Sequence, residues 1–376
     1  MILRGARIFD GERFHDDAAL HLSGDRIDAI RPDDGTGEDL GDGILAPGFI
    51  DLQVNGGGGI MLDADTGVEG IARICTTHAS LGATTIMPTL ITDRPEATAA
   101  VIAAGVEAAR QSVPGFAGLH LEGPHLDPRR TGAHDPALIR AMDDADLSLL
   151  VEAAKKLPAL IVTLSPASAT AGQIAALVKA GAIVSLGHAE ATHDEALAAH
   201  LAGASMVTHL FNAMSQLGSR EPGLVGSALS EPFDCGIIAD GHHVDPATLA
   251  LAMRAKTTGR MFLVSDAMAV AGTDAVEFTL GGRRILRGDG RLTLTDGTLA
   301  GADLSLPQAV GVMVRQVGVP VERALAMASS VPAAILGTTD RGRLDPGLRA
   351  DLVHLKDDFG LHRAWQGGLE LDVVTP

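Results

Sequence analysis

The sequence has 376 residues and a formal net charge of −18, with 46% hydrophobic and only 20% charged residues. This length allows one large domain and a small one, and the acidic balance argues against nucleic acid, whose phosphates need a basic surface. The chain opens without a signal-peptide pattern and has no apolar run near the roughly 18 residues of a membrane span. We expect a soluble cytoplasmic protein that binds neither nucleic acid nor membrane, with Cys75 and Cys235 as reduced structural thiols.

The two ends of the chain share one pattern. Residues 1–47 alternate between apolar and polar positions and turn often, and the segment from residue 347 onward has the same character. Short antiparallel strands have this appearance. We therefore predict one small β domain made from residues 1–47 and 341–376, flanking a larger domain at 48–340.

The middle of the chain alternates strand and helix signals, which favours an α/β protein with a (β/α)₈ TIM barrel over an open sheet. Strands are predicted at 48–53, 83–88, 117–122, 159–164, 182–187, 204–209, 235–240 and 261–266. Helices are predicted at 68–80, 94–110, 145–156, 171–180, 192–201 and 246–257. After the eighth strand we expect inserted β-hairpins over 276–298 and closing helices over 305–316 and 321–335.

Four residues whose side chains can bind a metal or transfer a proton end short apolar runs: Glu122, His188, His209 and Asp266. The carboxyl ends of barrel strands are where this fold places its chemistry. Two imidazoles and a carboxylate form a complete protein ligand set for a catalytic Zn²⁺ with one open position, which leaves Asp266 as a base. Taken singly, each has a structural alternative: a buried ion pair for Glu122, a loop cap for each histidine and a turn cap for Asp266.

Further candidates lie in loops. His134 follows the third strand and is either a surface histidine or a donor that polarises a carbonyl group. Arg220 and the pair His242-His243 are the local cations available to an anionic substrate, with a solvated loop as the alternative. The glycine run at 56–59 lacks the Lys-Ser/Thr of a phosphate loop, so a tight turn is expected there.

Seven segments together resemble one enzyme family, the N-acetylglucosamine-6-phosphate deacetylases of the amidohydrolase superfamily. They are Pro47-Gly-Phe-Ile-Asp-Leu-Gln-Val-Asn-Gly56, His120-Leu-Glu-Gly-Pro124, Leu186-Gly-His188, Thr208-His-Leu-Phe-Asn-Ala-Met214, Arg220-Glu-Pro-Gly223, Ile238-Ala-Asp-Gly241 and Val264-Ser-Asp266. They occur in order over most of the chain. The closing Arg349-Ala-Asp-Leu-Val353 resembles amidohydrolases in general.

The resemblance implies a metal-dependent (β/α)₈ barrel with a small β-sandwich from both termini, usually as a homodimer, acting on a phosphorylated amino sugar. It implies Glu122, His188 and His209 as metal ligands, Asp266 as general acid/base and His134 as the group that polarises the acetamide carbonyl. The implied substrate contacts are Ala133, Asn212, Ala213, Leu299, Ala300 and Gly301, with Arg220 and His243 for the sugar phosphate.

One departure from the superfamily concerns the metal count. Many amidohydrolases hold a second metal with His-x-His after the first strand, whereas this chain has Gln53-Val-Asn55 there. We therefore predict one divalent metal per subunit, Zn²⁺ with Fe²⁺ as the alternative. The rival functions are deacetylation of N-acetylgalactosamine 6-phosphate, hydrolysis of another N-acyl or cyclic amide, and a silent barrel that only binds; deamination of a cyclic amidine is disfavoured by the Gln-x-Asn site.

Overall fold

The structure, a computed structural model, describes residues 1–374 and contains a barrel of eight parallel strands. The strands are Ile50–Val54, Thr85–Ile91, Leu119–Glu122, Leu160–Leu164, Ile183–Leu186, Met206–Val207, Asp234–Ile237 and Met261–Leu263, and each pairs with the next along the chain. The first strand closes the barrel against the segment that follows the last strand, where Val54 and Ala267 form a parallel bridge. The predicted TIM barrel is confirmed.

Two barrel strands end before the site residues that they were predicted to contain. The sixth ends at Val207 and the eighth at Leu263, so His209 and Asp266 lie two and three residues past their strands. At both site residues the backbone has left strand geometry, because φ is +30° at His209 and +52° at Asp266, in the left-handed region.

Helices cover the outside of the barrel. They are Gly67–Ser80, Pro95–Arg110, Asp144–Lys156, Ala171–Lys179, His193–Leu201, Gly223–Ser230, Pro246–Ala255, Leu306–Val312, Val321–Ala328 and Ser330–Leu336, with a π-helical turn at Met313–Val317. The helix Gly223–Ser230 was not predicted, and the helix predicted over 321–335 is broken at Ser329, whose φ of −131° is not helical. Among residues 1–374, no helix combines the length and the apolar character that crossing a membrane requires.

The two chain ends form a β-sandwich, as predicted. One sheet contains Ile2–Arg4, Ala18–Ser23, Arg26–Pro32 and Glu38–Asp39; the other contains Arg7–Phe9, Phe14–His15, Ile44–Pro47, Leu352–Leu355, Leu361–Gln366 and Leu369–Leu371. Residues from both ends share one apolar core, in which Leu20, Ile27, Leu352 and Trp365 are at most 2% exposed. The domain boundaries at 47/48 and 340/341 stay a prediction, and residues 375 and 376 of the second segment lie outside the described residues.

The segment after the eighth strand is the predicted insertion, and it extends further than predicted. It forms a four-stranded antiparallel sheet from Glu277–Leu280, Arg283–Gly288, Arg291–Leu294 and Leu299–Ala302. Its last strand returns to the barrel, where the Ala302 amide donates to the Asp266 carbonyl at 3.0 Å. The insertion therefore stands beside the carboxyl ends of the barrel strands.

Candidate active site

All three predicted ligands, Glu122, His188 and His209, converge at the carboxyl edge of the barrel, and we call them the ligand cluster. Glu122 Oε1 lies 2.9 Å from His209 Nε2 and 3.3 Å from His188 Nε2, and the two imidazole nitrogens are 3.1 Å apart. All three side chains are buried, at no more than 5% exposure. The topology produces this convergence because the three residues leave neighbouring parts of one parallel sheet in the same direction.

The two imidazoles of the cluster are supported differently. His188 Nδ1 donates to the Arg130 carbonyl at 2.8 Å, which fixes the tautomer and leaves Nε2 free as a ligand atom. The Nδ1 atom of His209 is buried and has no hydrogen-bond partner among the described residues. Both residues have positive φ, +45° and +30°, a conformation that costs a non-glycine residue energy and is concentrated at functional sites.

The cluster is negatively charged at its centre without a permanent counter-ion. Burial raises the pKa of Glu122, but the neighbouring imidazoles of His134, His188 and His209 outweigh burial and hold the pKa well below its usual range. Within residues 1–374, Glu122 forms no ion pair with an Arg or Lys side chain. A buried carboxylate that is ionised must be paired or bind a metal, so the ion-pair alternative with Arg or Lys is not supported here.

The donor set fits a divalent metal. Glu122, His134 and His188 offer three ligand atoms within 4.8 Å of one another, and His209 Nε2 lies against two of these residues. Imidazole and carboxylate donors suit Zn²⁺, Fe²⁺ and similar ions. Glu122, His188 and His209 would hold the ion, because Nε2 of both histidines faces the same carboxylate oxygen, whereas His134 Nε2 is 3.7 Å from the other oxygen.

His134 is a buried neutral histidine rather than a surface residue. Its Nδ1 accepts from the backbone amide of Thr92 at 3.2 Å and lies 2.8 Å from the Thr92 hydroxyl. Because the amide can only donate, the proton of the imidazole is on Nε2, the atom on the Glu122 side. Burial, with the neighbouring His188 second, lowers the pKa of His134 to about 4. This tautomer presents an N–H donor, as polarisation of a carbonyl group requires.

Asp266 lies beside the cluster with its carboxylate held on one side. Its Oδ1 accepts from Gln53 Nε2 at 3.1 Å and from Asn55 Nδ2 at 2.7 Å. Burial first and the charge of Glu122 second raise the pKa of Asp266 to about 6. A cation in the ligand cluster would act in the opposite direction and favour the ionised base.

A cavity of about 240 Å³ opens on these groups. Six of the residues assigned to substrate line it: Ala133, Asn212, Ala213, His243, Leu299 and Gly301. Ala300 is fully buried behind this wall and does not line the cavity. Arg220 is exposed and is also absent from the lining, so its predicted phosphate contact stays a prediction.

The surroundings of the pair His242-His243 show which of the two histidines faces the cavity. Asp240 accepts from the backbone amides of His242 and His243 at 2.8 Å and from His243 Nδ1 at 2.6 Å. The His243 ring is therefore held with Nε2 free, and this residue lines the cavity, whereas His242 is exposed. This geometry supports the choice of His243, rather than His242, as the residue for the sugar phosphate.

Two buried residues of the site were missed as functional groups. Gln53 and Asn55 were noted only as poor zinc ligands, yet both donate hydrogen bonds to Asp266. A signal was available, because residues two apart on a strand point to the same side. The contacts of Thr92 with His134 and of the Arg130 carbonyl with His188 carried no sequence signal.

This chain is similar in sequence and in structure to known proteins of one enzyme family. The model of the amidohydrolase family matches residues 44–370. An N-acetylgalactosamine-6-phosphate deacetylase of Shewanella sp. (strain ANA-3) is 40% identical over 330 residues, which cover 88% of this chain and 83% of the relative. The crystal structure of N-acetylglucosamine-6-phosphate deacetylase from Pasteurella multocida is similar with a TM-score of 0.92 and 34% identity over 98% of both chains. A mutant N-acetyl-D-glucosamine-6-phosphate deacetylase from Mycobacterium smegmatis, in complex with N-acetyl-D-glucosamine-6-phosphate, is similar with a TM-score of 0.90 and 30% identity over 98% of both chains.

Proposed function

The chain belongs to the amidohydrolase family, and we propose that it hydrolyses N-acetylglucosamine 6-phosphate to glucosamine 6-phosphate and acetate. The main observation that supports this function is that three kinds of functional group line one cavity. A metal ligand set, a carboxylate base and an N–H donor all face the same space. An amide hydrolase needs these three, because water must be activated, its proton accepted and the carbonyl oxygen stabilised.

The enzyme is metal-dependent, as its family is, and Glu122, His188 and His209 are the proposed ligands. A divalent ion in this place supplies Lewis acidity, which makes water a nucleophile at neutral pH. We assign one Zn²⁺ per subunit, with Fe²⁺ as the alternative. Gln53 and Asn55 support the count of one, since amide side chains are poor ligands for these ions.

Proton transfer falls to Asp266. It accepts a proton as the oxygen of water bonds to the acetyl carbon, and His134 Nε2–H donates to the carbonyl oxygen that becomes negative. The C–N bond then breaks, and Asp266 returns the proton to the departing amine. The second proton of water leaves on acetic acid, which ionises to acetate as the free amine takes up a proton, so one water is consumed and both carboxylate and imidazole end as they began.

The phosphate end of the substrate is assigned to His243 and Arg220. His243 Nε2 is free to face the cavity because Asp240 holds Nδ1. Arg220 lies outside the cavity lining of the single chain. A homodimer and a cytoplasmic location belong to the same proposal, and they rest on the family resemblance. Size-exclusion chromatography with light scattering tests the dimer: a monomeric mass for the active protein would reject it.

A second candidate substrate is N-acetylgalactosamine 6-phosphate. It is favoured by one observation, the 40% identity to a deacetylase that is named for this sugar. The two sugars differ only in the configuration of one hydroxyl, so the ligand cluster, Asp266 and His134 would act identically on both.

Acetate release from purified protein of known metal content tests the function. The substrates are both 6-phosphorylated sugars, with unphosphorylated N-acetylglucosamine as the control. We expect rapid release from at least one phosphate ester and little from the free sugar. The higher kcat/KM of the two esters decides between the candidates. Absence of release from both, with metal bound, would reject the proposed function and leave other N-acyl or cyclic amides to examine.

A further inference from the structure

The first barrel strand ends with two amide side chains directed at the base. Gln53 is the fourth residue of Ile50–Val54 and Asn55 follows that strand, so both side chains leave on one side. Each residue is 2% exposed. Their amide nitrogens lie 3.1 Å and 2.7 Å from the same atom, Asp266 Oδ1.

The donors and acceptors of these groups are unambiguous. An ionised carboxylate only accepts, so each amide must present its NH₂ group to Asp266. The reversed orientation of Asn55 would place its carbonyl oxygen 2.7 Å from a carboxylate oxygen, which is repulsive. Oδ1 thus has two hydrogen bonds, whereas Oδ2 accepts none from the described part of the chain. Asp266 lines the cavity, so this second oxygen is the one available to water and substrate.

We propose that Gln53 and Asn55 are positioning residues, an amide clamp that fixes Oδ1 of Asp266 and reserves Oδ2 for proton transfer. This inference rests on the proposed function, since it assigns the geometry of its acid/base step. The proton taken from water would reside on Oδ2 and leave from Oδ2 to the amine. Both transfers then occur at one point without rotation of the carboxylate.

The backbone makes the clamp rigid. The Asp266 amide donates to the Gln53 carbonyl at 3.0 Å, and the Asn55 amide donates to the Ala267 carbonyl at 2.9 Å. Asp266 is therefore held by both the main chain and the side chains of this segment, and Ala267 by its main chain. With Asp266 at a φ of +52°, these contacts fix both the direction of the side chain and its rotation.

The two amides of the clamp are not equivalent. Gln53 Nε2 also lies 3.3 Å from Glu122 Oε1, so this residue bridges the base and the ligand cluster. Asn55 Nδ2 contacts Asp266 only. Removal of the Asn55 amide should therefore affect the base alone, whereas removal of the Gln53 amide should affect the base and metal affinity together.

The test is a double-mutant cycle with Asn55→Ala and Asp266→Ala. Asn55→Ala should lower kcat by about 10–100-fold, since small misplacements of a catalytic group cost up to about 10²-fold. The KM should change less than about threefold, and the metal content should stay that of the unaltered protein. In the Asp266→Ala background, Asn55→Ala should cause no further loss, because a residue that acts through Asp266 has nothing left to position. An equal loss in both backgrounds, or a raised KM with unchanged kcat, would overturn the clamp.

Two further variants separate the clamp from general destabilisation. Ser329→Ala removes a fully buried hydroxyl far along the chain, which donates to the Leu325 carbonyl at 2.7 Å, and should lower the melting temperature without changing kcat. Gln53→Met keeps the length and removes both donors, so it should lower kcat and also weaken metal affinity in chelator competition. Unchanged metal affinity would reject the bridge to Glu122.

Failure of the proposed function can be recognised separately. If the unaltered protein releases no acetate from either sugar phosphate, the proposed function is rejected. The clamp is then tested by the crystal structure of a variant instead of by activity. A crystal structure of Asn55→Ala should show the Asp266 carboxylate rotated from its original plane. An unchanged carboxylate would overturn the clamp whatever the substrate is.

Discussion

The carboxyl edge of the barrel and the terminal β-sandwich are both buried, but they bury opposite kinds of group. The edge encloses the ionisable side chains of Glu122, His188 and Asp266, none more than 8% exposed. The sandwich encloses mainly apolar side chains around Trp365, and many of its ion pairs, such as Arg363 with Glu370, lie at its surface. Burial of charge costs free energy, whereas burial of apolar surface gains it.

This contrast separates function from stability within one chain. The edge keeps a set of charges and left-handed backbone conformations that folding alone would not select. The sandwich and the apolar part of the barrel supply the stability that offsets this cost. Changes at the edge should therefore alter chemistry more than folding, and changes in the sandwich should do the reverse.

The largest effect is expected at the base. Asp266→Asn keeps the size of the side chain and the cavity but removes the proton acceptor, so kcat should fall by about 10²–10⁴-fold. Acetate release measures the loss, and metal analysis with thermal denaturation checks that the site and fold persist. Activity within about threefold of the unaltered enzyme would show that another group is the base.

The second prediction concerns the sandwich. Trp365 is fully buried, so Trp365→Ala should lower the free energy of unfolding by about 3–5 kcal/mol. Urea denaturation measures this change, and Trp365→Phe serves as a smaller truncation with a smaller loss. The kcat of the folded fraction should stay the same. A fall in kcat at saturating substrate would mean that the two regions are coupled and that function and stability are not separated between them.

The third prediction tests a buried carboxylate below the edge. Asp51 accepts from the backbone amides of Gln53 and Ser265, at 3.1 Å each, yet burial raises its pKa from 3.8 to about 7. The folded state thus holds a proton that the unfolded state releases near pH 4. The stability contributed by this proton is present below about pH 4 and is lost as the pH rises towards 7.

Asp51→Asn removes this titration because an amide stays neutral. Urea denaturation at pH 5 and pH 7 should show that the unaltered protein loses of order 2 kcal/mol more between these values than the variant does, at about 1.4 kcal/mol per pKa unit. Parallel pH profiles of stability for the two proteins would contradict a raised pKa for Asp51.

The general fold was predictable because it depends on repeated local patterns. Eight apolar runs separated by amphipathic stretches predict the barrel, and the same runs place Glu122 at the end of its strand and His188 just past its strand. The alternation at both chain ends predicts the sandwich. The helix Gly223–Ser230 was missed because its residues are almost all buried, which leaves no polar face to give a period.

The finer geometry of the site was not predictable from local patterns. The tautomers of His134 and His188 depend on Thr92 and on the Arg130 carbonyl, both distant in sequence. The positive φ of Asp266 has no signature in residue type, since aspartate is common in ordinary turns. Such features arise only when separate strands meet, so they belong to the closed barrel and not to any segment of it.

The smallest effect is expected at Asp10, the counterpart of Asp51 in the sandwich. Burial raises its pKa, but hydrogen bonds from His15 and from the amides of Arg13 and Glu12 outweigh burial and lower it. A lowered pKa has the opposite sign: the stability is present above the unfolded pKa of 3.8 and is lost as the pH falls through the lower folded value. Asp10→Asn should cost about 1 kcal/mol near pH 6, because weaker neutral hydrogen bonds replace those to a charge, and the cost should vanish in acid. Urea denaturation at pH 6 and pH 3 measures both. A cost that grows in acid would mean that Asp10 resembles Asp51, so that burial rather than hydrogen bonding decides the state of both carboxylates.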